Sequence, residues 1–308
     1  MARVALVSAL AARGRDDDLI PLTDALRDRG VTVESVDWDD PDVDWSSHDV
    51  AVIRSTWDYT ERIDEFLAWS TEVSSRTHLH NPERLIRWNA DKRYLADLIA
   101  LDVPVVPTRY LAPGEAVDVA GILAAELAGG GEVVVKPTIS AGSRDTARYR
   151  IDDLGAATAH AERLRNSGRT VMLQPYQGSV DVEGETALIY FGGVFSHAIR
   201  KAALLDPEAG PSSALFAPET ITPFAPDDEH LATATEVLRA LTRVPALVGV
   251  DLPPLYARID LLRADDASLV VLEVELIEPS LFFEHTPDGA QRCAAAIAEV
   301  AEAAEVAG

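Results

Sequence analysis

The sequence predicts an α/β protein that becomes α+β in its second half, and three observations carry that prediction. Its 308 residues are too many for one small core and ask for two or three packed modules. Residues 2–54 alternate strand, helix and strand, the way a parallel sheet is built. From residue 186 onward, apolar runs come in pairs joined by short polar or glycine turns, as antiparallel hairpins do.

Residues 4–7 read as the first strand, 18–29 as an amphipathic helix stopped at Gly30, 31–36 as a second strand and 50–54 (VAVIR) as a third. The apolar N-terminus resembles a signal segment only briefly. Arg13, Arg15, Asp16, Asp17 and Asp18 follow at once, and a buried strand is the better reading. No G-x-G-x-x-G follows this strand, so a dinucleotide fingerprint is missing. The third strand runs into Arg54-Ser55-Thr56. Ligands of open α/β sheets sit beyond the carboxyl ends of strands, which places these three residues to receive a carboxylate or an amino acid. Equally, Ser55 or Thr56 caps a helix and Arg54 meets a surface acid.

Further on, Asn89-Ala90-Asp91-Lys92 is expected to open a helix with Leu95, Leu98 and Ile99 on one face, ending before Val103-Pro104. Pro104 and Pro107 mark the passage into a second module. Residues 132–136 (EVVVK) form a strand, and the loop 139–146 after it contains Gly142 and Ser143. Small residues let backbone N–H groups approach an anion, so this loop is a candidate phosphate cradle, although many hairpin turns look the same. There is no G-x-x-x-x-G-K-[ST], and hence no P-loop. Strand 170–173 leads into Gln174-Pro175-Tyr176, where proline should break the ladder and leave a linker between two lobes. Residues 186–191 and 194–199 pair across Gly192-Gly193, and 205–225, rich in Pro, Ser and Ala without period, read as a mobile loop. A helix over 228–242 and an Ala-rich helix from about 287 to 306 complete the chain. The expected division is 1–88, 89–177 and 178–308.

Two strands, 256–262 and 268–276, flank the polar turn 263–267. Arg258 shares a strand face with Asp260, and Glu273 with Glu275. Carboxylates in an apolar sheet are costly unless something positive pairs with them. One reading is an amphipathic hairpin with a wet face. The other is an oxygen-ligand site for magnesium that also holds phosphate.

Composition narrows the partners. Formal charge is −24, with no segregated basic patch, which disfavours nucleic acid and anionic membranes. No apolar run approaches the roughly 18 residues of a membrane span. A single cysteine, Cys293, excludes an internal disulfide and a multi-cysteine metal site; it reads as a small core residue of a cytoplasmic protein. Only three lysines occur, Lys92, Lys136 and Lys201, so each invites a specific role.

Several short motifs occur in a fixed order: Asp91-Lys92 before a helix ending in Val-Pro, Lys136 before the Gly/Ser loop, then Gln174-Pro175-Tyr176. Asp260 follows, with Glu273 thirteen residues on and Glu275 two further. In this order, over nearly the whole chain, the sequence resembles the ATP-grasp superfamily of carboxylate–amine ligases. The resemblance implies an N-terminal parallel α/β domain and two α+β lobes clamping ATP. It implies Lys92, Lys136, Gly142 and Ser143 on the phosphates, and Gln174, Pro175 and Tyr176 at the adenine. Glu185 would take the ribose, with Glu183 as its alternative. It places Lys201 and Arg258 on the transferring phosphoryl group, and two magnesium ions on Asp260, Glu273 and Glu275. The last of these is usually asparagine in the superfamily. Arg54 to Tyr59, the Gly184-Glu185 stretch and Pro279-Ser280 further resemble a bacterial subfamily of cyclo-ligases that form D-cycloserine from O-ureido-D-serine. That resemblance implies a small amino-acid-like substrate touching Arg54, Ser55, Thr56 and Ser280, lids at the Gly/Ser loop and 205–225, and a homodimer. An intermolecular amino-acid ligase and an ATP-binding regulatory module are the alternatives.

Overall fold

The computed structural model describes residues 2–206, 208, 210, 211 and 220–307. Three sheets follow one another along the chain. The first is parallel, in the order β2-β1-β3-β4, from β1 (Arg3–Ser8), β2 (Thr32–Asp37), β3 (Val50–Ser55) and β4 (His78–His80). The second is antiparallel, in the order β5-β8-β6-β7, from β5 (Arg109–Leu111), β6 (Val133–Pro137), β7 (Ala147–Tyr149) and β8 (Val171–Pro175). The third is also antiparallel, in the order β11-β10-β9-β12-β13, from β9 (Glu185–Phe191), β10 (Val194–Lys201), β11 (Ile221–Phe224), β12 (Tyr256–Arg263) and β13 (Leu269–Glu275). Among the described residues, no helix is long and apolar enough to cross a membrane.

The cores do not follow chain order. Helices Glu83–Asn89 and Tyr94–Ile99 bury Leu85, Leu95 and Leu98 against Ile259, Val271 and Val274 of the third sheet. The C-terminal helix Gly289–Ala307 reaches back to the first sheet. Its stripe of Ala290, Cys293, Ala294, Ile297 and Ala301 recurs at helical spacing and packs with Val4, Leu6, Leu22 and Leu26. The small side chains let that helix lie close, and Cys293 is buried there. Each fully buried Leu or Ile of this kind contributes about 1.5–3 kcal/mol. Packing the N-terminal sheet against the chain's last helix fixes the first and third sheets against each other, and the second sheet closes the site from the other side.

Four local expectations are corrected. Asn89 ends one helix instead of opening another, and the next begins at Tyr94. Lys92 sits in the turn between them because its backbone N–H donates to the Thr138 carbonyl at 2.9 Å. Ile99 is 46% exposed, since so short a helix buries only the Tyr94, Leu95 and Leu98 side. Pro175 does not break the ladder. It pairs with Val133, and the Tyr176 N–H still donates to Glu132 at 2.8 Å. The neighbouring strand β5 ends opposite Leu173, so no partner on that side requires the missing N–H. Within 205–225, Ile221 to Phe224 form edge strand β11, with Pro223 tolerated because the edge is unpaired. The lid expected over 205–225 otherwise falls largely outside the described residues.

Candidate active site

The third sheet collects the charged residues. Cross-strand register sets Arg258 opposite Glu275, Asp260 opposite Glu273, and Lys201 opposite Glu185. Arg258 donates to both Asp260 oxygens, at 2.8 and 3.0 Å, and also to Glu275. Lys201 Nζ donates to Asp260 at 2.7 Å and lies 3.7 Å from Glu185. Burial alone would raise the Asp260 carboxyl, but Arg258 and Lys201 outweigh it and bring it down to about 2. Gly184 makes the Lys201–Glu185 approach possible: at φ +73°, a Cβ there would sit 2.3 Å from the Lys201 carbonyl oxygen. Glu185 lines the same cleft, whereas Glu183 is half-exposed and faces Arg263.

The second sheet supplies Lys136 and the Gly/Ser loop. Lys136 is buried and, among the described residues, its ammonium makes no ion pair or hydrogen bond, so burial pushes it down. Lys92 reaches across to the Ser140 carbonyl at 2.6 Å and to Glu273 at 3.0 Å. Burial opposes its charge, but Glu273 holds the ammonium above its ordinary range. Gly142 and Ser143 both adopt left-handed backbone, at φ 59° and 60°, which turns the loop over the cleft. Gln174, Pro175 and Tyr176 line the cleft wall; Gln174 donates to Thr108 at 2.9 Å, and the Arg148 guanidinium lies 3.5 Å above the Tyr176 ring. The cleft that gathers Lys92, Lys136, Lys201, Gly142, Ser143 and Glu185 encloses about 150 Å³.

A second cavity of about 310 Å³ adjoins it, sharing Lys92, Ser140, Ala141, Gly142, Glu273 and Glu275. Arg258, Ser280, Trp57, Tyr59 and Glu278 complete its working wall. Arg54, Ser55 and Thr56 are not in that wall, which corrects the expected substrate contacts. Arg54 is 1% exposed, donates to the Pro279 carbonyl at 3.2 Å and lies 3.8 Å from Asp18. Ser55 is buried with its hydroxyl 2.9 Å from Ser8, and the buried Thr56 hydroxyl has no partner among the described residues. Strand β3 turns these side chains inward, beneath the cavity floor. Asp18 in turn accepts the backbone N–H groups of Leu281, Phe282 and Phe283, at 2.6, 3.1 and 2.8 Å. Ser280 therefore enters the wall on a turn pinned from below, with Phe282 in left-handed backbone at φ 54°.

Glu278 was not foreseen. Its signal was a third acid, after Glu273 and Glu275, inside the apolar run before Pro279. It is 8% exposed, and burial together with Glu275 pushes its carboxyl up to about 8. Burial likewise raises the Glu275 carboxyl, to about 7, against the pull of Arg258. Tyr59, buried in the same wall, is pushed well above its ordinary range by burial and by the charge of Glu278.

Asp260, Glu273 and Glu275 offer only oxygens, the donor chemistry magnesium prefers. Among the described residues no group of three or more such side chains is arranged to hold a metal ion. Asp260 and Glu273 face each other across β12 and β13, while Glu275 is drawn to Arg258. Magnesium is commonly held by one or two carboxylates plus phosphate oxygens, so this donor set fits it in partnership with a phosphate ligand.

Known proteins share this architecture. Residues 4–81 match the family described as the N-terminal domain of D-cycloserine synthetase DcsG. The chain is 43% identical over 302 residues to the cycloserine biosynthesis protein DcsG of Streptomyces lavendulae, covering 97% of this chain and 99% of that one. Its structure is similar to the crystal structure of D-cycloserine synthetase DcsG, with TM-score 0.88 and 42% identity over 97% of this chain and 100% of that chain. At 15% identity, a D-alanine–D-alanine ligase from Bacillus anthracis shares the fold with TM-score 0.70, both chains being covered in full. The ATP-grasp ligase PsnB, solved with its minimal precursor, does so at 18% identity and TM-score 0.62, over 97% of this chain and 99% of that one.

Proposed function

As a member of the D-cycloserine synthetase family of ATP-grasp ligases, to which this chain belongs, the protein is an ATP-dependent ligase, and we propose that it closes O-ureido-D-serine to D-cycloserine. The observation that supports this most directly is the junction of the two cavities at Lys92, Gly142, Glu273 and Glu275. One space is lined by lysines and suits a triphosphate; the other suits a serine-sized acid. Where they meet, a carboxylate can be phosphorylated without leaving the protein.

In this reading the adenine lies at Gln174, Pro175 and Tyr176, the ribose at Glu185, and the phosphates against Lys92, Lys136, Gly142 and Ser143. Lys136 suits that role because its buried ammonium makes no ion pair among the described residues, Glu273 and Glu185 acting on it only from a distance. Asp260, Glu273 and Glu275 would hold magnesium, which supplies neutralisation of phosphate charge when bound. Arg258 and Lys201 are held in place by Asp260 and can stabilise the charge that develops as the substrate carboxylate attacks the terminal phosphoryl group. The acyl phosphate that results needs shelter from water, and the left-handed Gly142-Ser143 turn lies over both spaces. The ureido nitrogen attached to oxygen then attacks the acyl carbon of the same molecule and expels phosphate, closing the ring. Hydrolysis of the remaining carbamoyl group releases carbon dioxide and ammonia. Ser280 and Arg258 face the reacting acid, and intramolecular attack needs positioning more than activation.

The test is ADP release with ATP and magnesium, using O-ureido-D-serine, its L-isomer and a panel of free amino acids. The expected result is turnover with the D-ureido compound alone, accompanied by ammonia and a ring product. Turnover only when an acid and an amine are supplied together would replace the reading with an intermolecular ligase. ATP binding without ADP from any compound would leave a regulatory module.

A further inference from the structure

Most of the acids lining the larger cavity are already engaged. Asp18 spends both oxygens on the backbone of Leu281, Phe282 and Phe283. Asp16 accepts from the Asp18 N–H through Oδ1 and faces the charge of Arg54, while its Oδ2 is buried without a hydrogen-bond partner among the described residues. Glu273 holds Lys92, and Glu275 holds Arg258. Glu284 is paired with His285 at 3.2 Å and is mostly exposed, and Asp17 is open to solvent. That leaves Glu278. It is more than nine-tenths buried, it lines the cavity, and no cation lies within ion-pair distance of it among the described residues. Lys92 acts on it only from a distance, being occupied by Glu273 and the Ser140 carbonyl.

A buried carboxyl without a counterion is unfavourable, and a ligand that brings a cation relieves the cost. Of the cavity's own cations, Lys92 and Arg258 are bound elsewhere in the wall and exposed Arg15 makes no ion pair with Glu278 among the described residues, so a substrate can supply the compensating charge. An amino acid carries such a charge one carbon from the carboxylate that is activated. Glu278 lines the same cavity as Arg258 and Ser280, which places it to take that ammonium while the carboxylate faces the nucleotide cleft. We infer that Glu278 is the ammonium-binding residue of this site and selects an amino acid over the same acid lacking its amine. The inference rests on reading the larger cavity as the acid's pocket. Trp57 braces the residue from behind, its indole N–H donating to the Glu278 carbonyl at 3.4 Å.

Two compounds test this: O-ureido-D-serine and its des-amino analogue, compared in wild type and in Glu278→Gln, which keeps the side chain's size. Wild type should favour the amino compound in kcat/KM, and Glu278→Gln should shrink that preference by about 10- to 100-fold, the span for losing one charge-assisted hydrogen bond. Most of the change should be in KM, and Glu278→Asp should recover part of it. ATP affinity, measured separately, shows that the variant is folded. An unchanged preference in Glu278→Gln overturns the inference, as does an equal loss for both compounds. If no compound yields ADP, the cyclisation reading fails independently, and calorimetric titration with D-serine and 3-hydroxypropanoate reads the same contrast. Absence of an ammonium preference in wild type by either assay also overturns it.

Discussion

Two buried ionic clusters meet the same stretch of backbone and use their charge differently. Arg54 and Asp18 lie beneath the 279–283 turn and meet only protein groups: Asp18 accepts three N–H groups, and Arg54 donates to one carbonyl while its Nε and Nη1 stay buried without a hydrogen-bond partner among the described residues. Arg258, Lys201, Asp260 and Glu275 lie beside that turn, with Arg258 donating to the Ser280 carbonyl at 3.3 Å, and the cluster opens on the cavities. Residue types and burial are alike in the two. What differs is where the remaining valence points. The first cluster expresses its charge as stability, and the second as binding and catalysis.

Breaking one partner of each cluster should separate these roles. The largest effect is expected from Asp18→Asn, which removes one of the two carboxylates facing buried Arg54 and unpairs its ion pair, and should cost about 3–5 kcal/mol in urea unfolding. The double change with Arg54→Met should recover part of that loss, because an apolar replacement leaves no orphan charge. Full stability in Asp18→Asn would show that the clusters do not differ as argued. Next comes Asp260→Asn, which should lower ADP release by about 10²- to 10³-fold as Lys201 and Arg258 lose their anchor. Its urea midpoint should move less than that of Asp18→Asn. Lys136→Ala should weaken ATP binding by about 10- to 100-fold, which equilibrium titration would show; an unchanged affinity would remove the cleft assignment.

Acid and alkali sharpen the contrast. Asp260 titrates near 2 in the fold against an ordinary 3.8, so its stabilising share is present above 3.8 and lost as pH falls through about 2. Glu278 is shifted the other way, to about 8 from 4.5, so its share is full below 4.5 and lost as pH rises through about 8. Urea midpoints measured across pH should therefore decline from about pH 4.5 to about 8 and level off above it, and Glu278→Gln should flatten that decline. The smallest effect is expected at the surface: Ile99→Lys should change stability by no more than about 0.5 kcal/mol.

Much of the architecture was legible in the sequence because it follows local rules. Periodicity separated the parallel β1 to β3 region from the antiparallel hairpins, and strand alternation placed Arg258, Asp260, Glu273 and Glu275 together. Lysine scarcity drew attention to Lys92, Lys136 and Lys201, and the structure brings all three into one cleft. Local rules failed where a distant segment decided. Lys92 left its expected helix because Thr138 claims its N–H, and Pro175 kept its ladder because β5 ends opposite Leu173, two residues earlier. Arg54 at a strand's carboxyl end looked like a substrate contact, yet the chain's 279–283 turn, more than two hundred residues away, covers it.

The sequence by itself determined the fold class, the order of the strands' pairing partners within each hairpin, and the inventory of charges. Those depend on side-chain period and residue type, which a linear reading contains. Tertiary structure alone decided which charges remain uncompensated. Lys136 and Glu278 differ from their engaged neighbours only in what other strands and turns bring within about 4 Å, the range over which an ion pair acts. Burial makes that difference matter, because a charge screened cheaply in water must find its partner once water is excluded.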